Sequence, residues 1–261
     1  MKTLILTPNK NEMCGMYQLA KDLAKEFDGD ISTRKDYYDL AYQYDRTKIY
    51  DQVITFLYPM HKIGKKLQRH GVKWICYDQK TPPATKLYFP NFWRRQAMKY
   101  INWRNNQTMQ GADEYWDVTE REQKPRWTKK RGLRFLQFED VDLEKPYIIY
   151  IGRTTDYKNY EWLKQIMNKL NIPLIHPEKV SDDLLCEYLS NAKILITASL
   201  WEGYGRPVME AEALGIPAVS YDVGAHKRNT KKGICVPVDI QKGIFVDEEA
   251  FKEAIIEVWN R

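Results

Sequence analysis

The sequence predicts an α/β protein built as two parallel-sheet units, on three observations. Short runs of branched and leucine-type residues alternate with helical-period segments, a pattern that makes parallel sheets with helices on both faces. A length of 261 residues suits two units of about 120 each, large enough for separate cores. Charge divides along the same line: residues 1–143 hold 26 Lys and Arg against 18 Asp and Glu, whereas 144–261 hold 15 against 17. The expected boundary falls between 143 and 144.

The elements follow in order. "TLILTP" is a buried strand, a polar loop reaches Gly15, and "GMYQLAKDLAKEF" repeats apolar residues at helical spacing. "DQVITFLYP" and "VKWICYD" are further strands, separated by the basic helix "HKIGKKLQRHG". Residues 86–110 carry Arg, Lys, Trp and Tyr without a clean period, and "ADEYWDVTEREQKPRWTKK" returns to a short strand and a polar turn. "LQFEDVDLEKP" is a linker, since charge clusters there and Pro146 stops regular structure. Beyond it, "YIIYIG", "IPLIH", "KILITA" and "IPAVSYD" are strands. Between them lie the helices "NYEWLKQIMNKLN", the Ser-capped "SDDLLCEYLSNA", and "PVMEAEALG". A last helix, "EEAFKEAIIEVWNR", either closes the second unit or crosses back to the first.

Composition narrows the function. Apolar residues make up 43% and charged residues 29%, as in a globular protein. No apolar run approaches the roughly 20 residues that span a bilayer, and "MKTLILTPNK" turns polar too soon for a secretory signal, so a cytoplasmic protein is expected. Cys14, Cys76, Cys186 and Cys235 form no C-x-x-C pair and are expected to be reduced and buried. His61, His70, His176 and His226 stand in separate segments, and no metal site is expected. Eleven basic residues face one acid, Asp78, in residues 61–111, so the first half is expected to meet something negative.

Loops at the carboxyl ends of parallel strands carry the chemistry of such folds. "SLWEGYGRPVME" follows the strand "KILITA", with Pro207 suited to a helix start and Gly215 to its stop. That places Glu202 in the loop and Glu210 in the first helical turn, both able to face one crevice, while Gly203 and Gly205 permit close backbone approach. "YIGRTTDYKN" puts Arg153 and Lys158 at the same edge, where two cations could hold a diphosphate whose charge grows as it departs.

Three segments, "IGRTTDYKN", "VSDDLLCEYLSNAKILITASLWEGYGRPVMEAEALGIPAVSYDVGA" and "KKGICVPVD", together resemble the donor-binding domain of family-4 retaining glycosyltransferases of the GT-B fold. The E-x7-E pattern of "EGYGRPVME" is the family's hallmark. The resemblance implies two Rossmann-like domains with parallel sheets facing across a cleft, a nucleotide diphosphate sugar as donor substrate, hexosyl transfer with retention, and no cofactor or required metal. It also implies Arg153 and Lys158 on the diphosphate, Glu210 on the ribose hydroxyls, and Glu202 with the Tyr204 and Gly205 backbone near the transferred sugar.

The first half is similar to the family's acceptor-side domain, with Gly15 approaching the diphosphate where many members carry a glycine pair. Tyr77-Asp78 stands where they have His-Asp, leaving Asp78 as a cleft candidate or a turn residue. Gly224, in "DVGAHKR", occupies a glycine loop of the donor side, with Arg228 in place of the family's acid.

Phe92, Trp93, Tyr100 and Trp103 interleave with Arg94, Arg95, Lys99 and Arg104. Such a segment suits an anionic membrane surface, a lipid-linked or carbohydrate acceptor, or stacking on nucleic-acid bases, the last least expected; a packed helix with solvated charges is the plain alternative. Two other readings stand beside transfer by a GT-B enzyme. A metal-dependent transferase could hold a divalent ion on Asp140 and Asp142 of "DVD", and a non-catalytic basic module could bind membrane or nucleic acid beside a relic transferase domain.

Overall fold

The computed structural model describes residues 1–8, 15–33, 35–37, 49–56, 58–78, 91–132, 143, 145–238 and 247–261. The chain divides into two compact units: Met1–Ala84 with Trp93–Lys124, and Thr85–Phe92 with Pro125–Arg261. Residues 125–132 and Leu143, assigned to the first half by charge and composition, thus lie in the second unit. The physical reason is side-chain burial, since Trp127 and Leu143 pack in a core with Tyr147, Leu185 and Val208.

The first unit contains β1 (Thr3–Thr7), α1 (Gly15–Phe27), β2 (Gly29–Thr33), β3 (Gln52–Thr55), α2 (Tyr58–Gln68), β4 (Lys73–Asp78), α3 (Phe92–Met109) and β5 (Glu114–Asp117). Its sheet is parallel throughout in the order β2-β1-β3-β4-β5. β2, "GDIST", escaped the sequence reading because an edge strand with partly exposed residues shows no apolar run. Met60, Ile63 and Leu67 recur at helical spacing and bury one face of α2 against Val53 and Trp74.

Within that core Trp74 Nε1 donates to Thr55 Oγ1, and Thr55 Oγ1 lies within hydrogen-bond reach of His61 Nδ1, both at 2.8 Å. Burial pushes the His61 imidazole down to about 4, against the pull of Asp78, so at neutral pH it is an uncharged member of this network. His61 is therefore a satisfied core histidine.

The second unit contains β6 (Ile148–Ile149), a 3-10 turn (Asp156–Lys158), α4 (Tyr160–Leu170), β7 (Leu174–Ile175), α5 (Asp182–Asn191), β8 (Ile194–Thr197), α6 (Arg206–Ala213), β9 (Ala218–Tyr221), α7 (His226–Asn229), β10 (Ile234–Val236) and α8 (Glu248–Asn260). Its parallel sheet runs β10-β9-β8-β6-β7. Side chains alternate across it: Ile149 and Leu195 enter one core, Ile148, Ile194 and Ile196 the other.

Local signals set the helix ends. Ser181 Oγ accepts from Leu184 N at 3.2 Å to cap α5. After α6, Gly215 N and Ile216 N bond to the Glu212 and Ala211 carbonyls at 3.0 and 2.8 Å, a Schellman close that uses the left-handed φ of Gly215, 77°. α8 closes the second unit, burying Phe251, Ala254, Ile255 and Val258 beside Val219 and Tyr221.

In each unit the first strand lies next to one edge, with the second strand outside it and the third to fifth on its other side. The connections from the first and third strands therefore part in opposite directions, leaving a switch point at their carboxyl ends where ligands gather. In the second unit this point lies between β6 and β8.

Candidate active site

The loops that follow β6 and β8 meet at the switch point, joined by Leu200 N bonding to the Tyr157 carbonyl at 2.8 Å. Lys158 ends the short 3-10 turn of the first loop, and its ammonium pairs with the Glu202 carboxylate of the second. The two side chains are only 14% and 16% exposed, so solvent screens the pair weakly. Burial by itself would push the Glu202 carboxyl up, but Lys158, with smaller help from His226 and a Ser199 hydrogen bond, holds the group below the usual carboxylate range.

Arg153 stands on the exposed part of the same first loop, where Nη2 donates to Tyr157 Oη at 2.9 Å. The loop backbone is held by Tyr150 Oη donating to the Arg153 carbonyl at 2.7 Å and by His176 Nε2 on the Gly152 carbonyl at 2.8 Å. Arg153 and Lys158 thus lie on one loop, with Lys158 held against Glu202 and Arg153 directed to a tyrosine.

Behind Glu202, two glycines allow close approach of a third loop. A Cβ at Gly205 (φ 70°) would stand 2.2 Å from the His226 ring, and one at Gly224 (φ 56°) would stand 2.3 Å from the Glu202 carbonyl and 2.5 Å from that of Gly203. Ala225 N bonds to the Gly203 carbonyl at 3.0 Å across this contact. In this structure Gly224 therefore packs the loop after β9 under the Glu202 turn.

His226 is buried, with Nδ1 at 3.1 Å from the Tyr221 carbonyl; a carbonyl only accepts, so Nδ1 carries the proton. Burial lowers its pKa against the opposing effect of Glu202, leaving the ring neutral at physiological pH. Tyr204 is buried below the Arg228 guanidinium, 5.1 Å from its ring centroid, and its carbonyl accepts from Asn229 Nδ2 at 2.6 Å.

Glu210 differs from the sequence expectation in its surroundings. α6 begins at Arg206, which puts Pro207 second and Glu210 fifth in the helix, one turn deeper than the first. Its side chain is 0% exposed, and Arg126 grips both carboxylate oxygens: Nε on Oε1 and Nη2 on Oε2, each at 2.8 Å. Arg126 Nη1 also donates to Asp182 Oδ1 at 2.8 Å, and Arg206 Nη2 stands 3.5 Å from Glu210 Oε1. The sequence reading missed Arg126 and Asp182, because Arg126 lies 84 positions from Glu210 in a segment whose charges resemble a polar turn.

Gly15 opens α1 and Asp78 ends β4 at the carboxyl edge of the first sheet, next to the strand at that unit's switch point. Asp140 and Asp142, and Cys14, lie outside the described residues. Among the described residues no group of three or more His, Cys, Asp or Glu is placed to hold a metal ion. No helix among them is long and apolar enough to cross a membrane. Cys76 and Cys186 are buried free thiols and Cys235 is a partly buried one.

These loops fall within one recognisable segment. Residues 151–261 match the family model of the glycosyl transferases group 1. The matched residues include Arg153, Lys158, Glu202, Tyr204, Gly205, Glu210 and Gly224, but not Arg126.

Similarity to solved structures spans both units. Sucrose-phosphate synthase from Thermosynechococcus elongatus superposes with a TM-score of 0.69 at 14% identity, over 99% of this chain and 90% of that one. WaaG, a glycosyltransferase involved in lipopolysaccharide biosynthesis, gives 0.61 at 10%, over 99% and 90%. Anabaena HepE in complex with UDP-glucose gives 0.55 at 11%, over 98% and 88%. With the two parallel five-stranded sheets, these likenesses show a GT-B fold built from two Rossmann-like halves. A search of curated proteins gave no match.

Proposed function

We propose that the chain is a retaining glycosyltransferase that moves a hexosyl group from a nucleotide diphosphate sugar to an acceptor hydroxyl without a required metal. One observation carries the proposal: the weakly screened Lys158–Glu202 pair sits at the switch point of the second unit, with Lys158 on the same loop as Arg153. UDP-glucose in the HepE structure supports a nucleotide-sugar donor for this fold.

In this reading Arg153 and Lys158 stabilise the leaving diphosphate. An ammonium has three N–H donors, so Lys158 can hold Glu202 with one and offer the others to phosphate oxygens. As the bond from the anomeric carbon to the diphosphate oxygen breaks, negative charge accumulates on that oxygen, and fixed cations bind it more strongly than they bind the ground state. The acceptor oxygen bonds to the anomeric carbon on the same face, and its proton passes to the departing phosphate oxygen. Glu202 anchors Lys158 and lines the sugar side with the Tyr204–Gly205 backbone, while Glu210 accepts from the ribose hydroxyls. Gly15 and Asp78 belong to the acceptor-side unit, and Gly224 supports the Glu202 turn.

A thermal-shift panel of nucleoside diphosphates and nucleotide sugars tests the donor class. The matching ligand at 100 times its Kd is expected to stabilise the protein by about 2.7 kcal/mol. Its transfer rate is expected to be unchanged by EDTA. Failure of every nucleotide to shift the melt argues against the donor reading, and EDTA-sensitive transfer argues against metal independence.

The acceptor side is proposed to meet a lipid-linked or polyanionic acceptor, with peripheral contact to an anionic membrane. Trp93 is 77% exposed and Tyr100 and Trp103 are 56% and 53% exposed on α3, a helix with Arg94, Arg95, Lys99 and Arg104 and no acid. Arg104 lies over the Tyr100 and Trp103 rings at 6.0 and 5.5 Å. Exposed aromatics settle at the bilayer boundary and cations attract its head groups. The protein is expected to float with anionic vesicles at low salt and to be released by high salt; no binding at low salt removes the membrane part.

A further inference from the structure

Arg126 fills the acceptor positions that the proposed nucleotide needs. Its Nε–H and Nη2–H run in parallel onto the two Glu210 oxygens at 2.8 Å. A vicinal diol offers a carboxylate much the same arrangement, with two donors a short fixed distance apart. With Glu210 at 0% exposure, a ribose cannot make that contact until the guanidinium leaves.

The surroundings allow such an exchange. Trp127 is packed in the core, and Arg131 is tied at both its N–H, to Ser190 Oγ at 3.0 Å, and its carbonyl, to Asn191 Nδ2 at 2.8 Å. The neighbouring backbone is thus anchored, so the exchange needs only rotation of the Arg126 side chain, whose guanidinium also lies 4.2 Å from the Trp127 ring centroid. Asp182, already bonded to Nη1 and 35% exposed, retains the guanidinium outside the Glu210 site. Arg206, 3.5 Å from Glu210 Oε1, keeps a positive charge beside the buried carboxylate when Arg126 withdraws. Neither charge is stranded by the swap, which matters because an uncompensated buried charge is strongly destabilising.

We infer that Arg126 is a specificity-determining residue of the donor site, an internal competitor that a nucleotide displaces from Glu210 by presenting its 2′- and 3′-hydroxyls. This rests on the nucleotide-sugar reading above. A ligand without the diol gives Glu210 nothing in exchange for two charge-assisted bonds, so it binds without opening the site. Arg126 therefore weakens binding of ribonucleotides and leaves that of dideoxynucleotides unchanged.

The test titrates UDP, ADP, GDP and CDP, with the 2′,3′-dideoxy analogue of the tightest, against wild type, Arg126→Gln and Arg126→Lys. Arg126→Gln is expected to tighten the ribonucleotide about tenfold, the scale of one charge-assisted bond, and to leave the dideoxy analogue unchanged. Arg126→Lys, which keeps the charge but loses the fork, is expected to fall between.

In wild type, where folding is not in question, saturating ribonucleotide is expected to shift the Arg126 Nε–H NMR signal and speed its exchange with water, and the dideoxy analogue is not. Binding to wild type with an unmoved Nε–H signal, or a ribonucleotide affinity in Arg126→Gln equal to or below wild type, overturns the competitor role alone. Failure of all four ribonucleotides to bind any of the three proteins overturns the competitor role and the donor reading together.

Discussion

Lys158→Ala is expected to reduce transfer by about 10²–10³-fold, the usual loss when one fixed group that stabilises transition-state charge is removed. The same change leaves Glu202 in a setting only 16% exposed and without its ammonium, so stability should fall by about 3 kcal/mol. The two effects separate on adding Glu202→Gln. The double variant removes the orphan charge and should recover most of the stability, yet it lacks the cation for the diphosphate and should stay slow.

Acid provides a second check with a fixed sign. The folded-state pKa of Glu202 is depressed, so the pair's contribution is present above the unfolded value of about 4.3 and is lost as pH falls through the lower folded value. The stability gap between wild type and Lys158→Ala should therefore close in that acid window. Urea unfolding across pH and initial rates with the identified donor measure both effects. A Lys158→Ala protein with wild-type rate would remove Lys158 from the chemistry, and a gap independent of pH would remove the ion pair from the stability.

Gly224→Ala is expected to destabilise the second unit by about 3 kcal/mol and to impair transfer with it. The methyl group would stand 2.3 Å from the Glu202 carbonyl oxygen, 2.5 Å from that of Gly203 and 2.8 Å from the Glu202 carbonyl carbon. All three are backbone atoms, so no side chain can turn aside. Relief requires the loop after β9 to withdraw, which breaks the Ala225 N to Gly203 carbonyl bond and frees the turn that carries Glu202.

Gly71→Ala is the control. Its φ of 85° carries the same left-handed strain, but a Cβ there meets nothing within 4 Å. It should cost only about 1 kcal/mol. Equal unfolding midpoints for the two variants would show that steric contact at Gly224 contributes nothing beyond backbone strain.

Much of the second unit was legible because each signal is local. The apolar runs at 148–149, 194–197 and 218–221 sit on both faces of one buried sheet, Ser181 precedes the helix it caps, and Gly215 follows the helix it stops. α3 was harder to read because Asn105 is its one buried residue among those described, so no apolar stripe records the helical period. The charge asymmetry also misled the boundary, since net charge carries no information about which core Trp127 and Leu143 enter.

By itself the sequence determined the alternating α/β plan, the loops expected to bear chemistry by their place after strands, and the residue types Arg153, Lys158, Glu202 and Glu210 at those loops. Tertiary structure alone decided their partners. Lys158 meets Glu202 across 44 positions because two loops leave neighbouring strands at the switch point, and Glu210 meets Arg126 across 84 because a distant segment folds onto α6. Periodicity and capping act over a few residues and leave their mark in the local sequence, whereas pairing of buried charges depends on three-dimensional proximity.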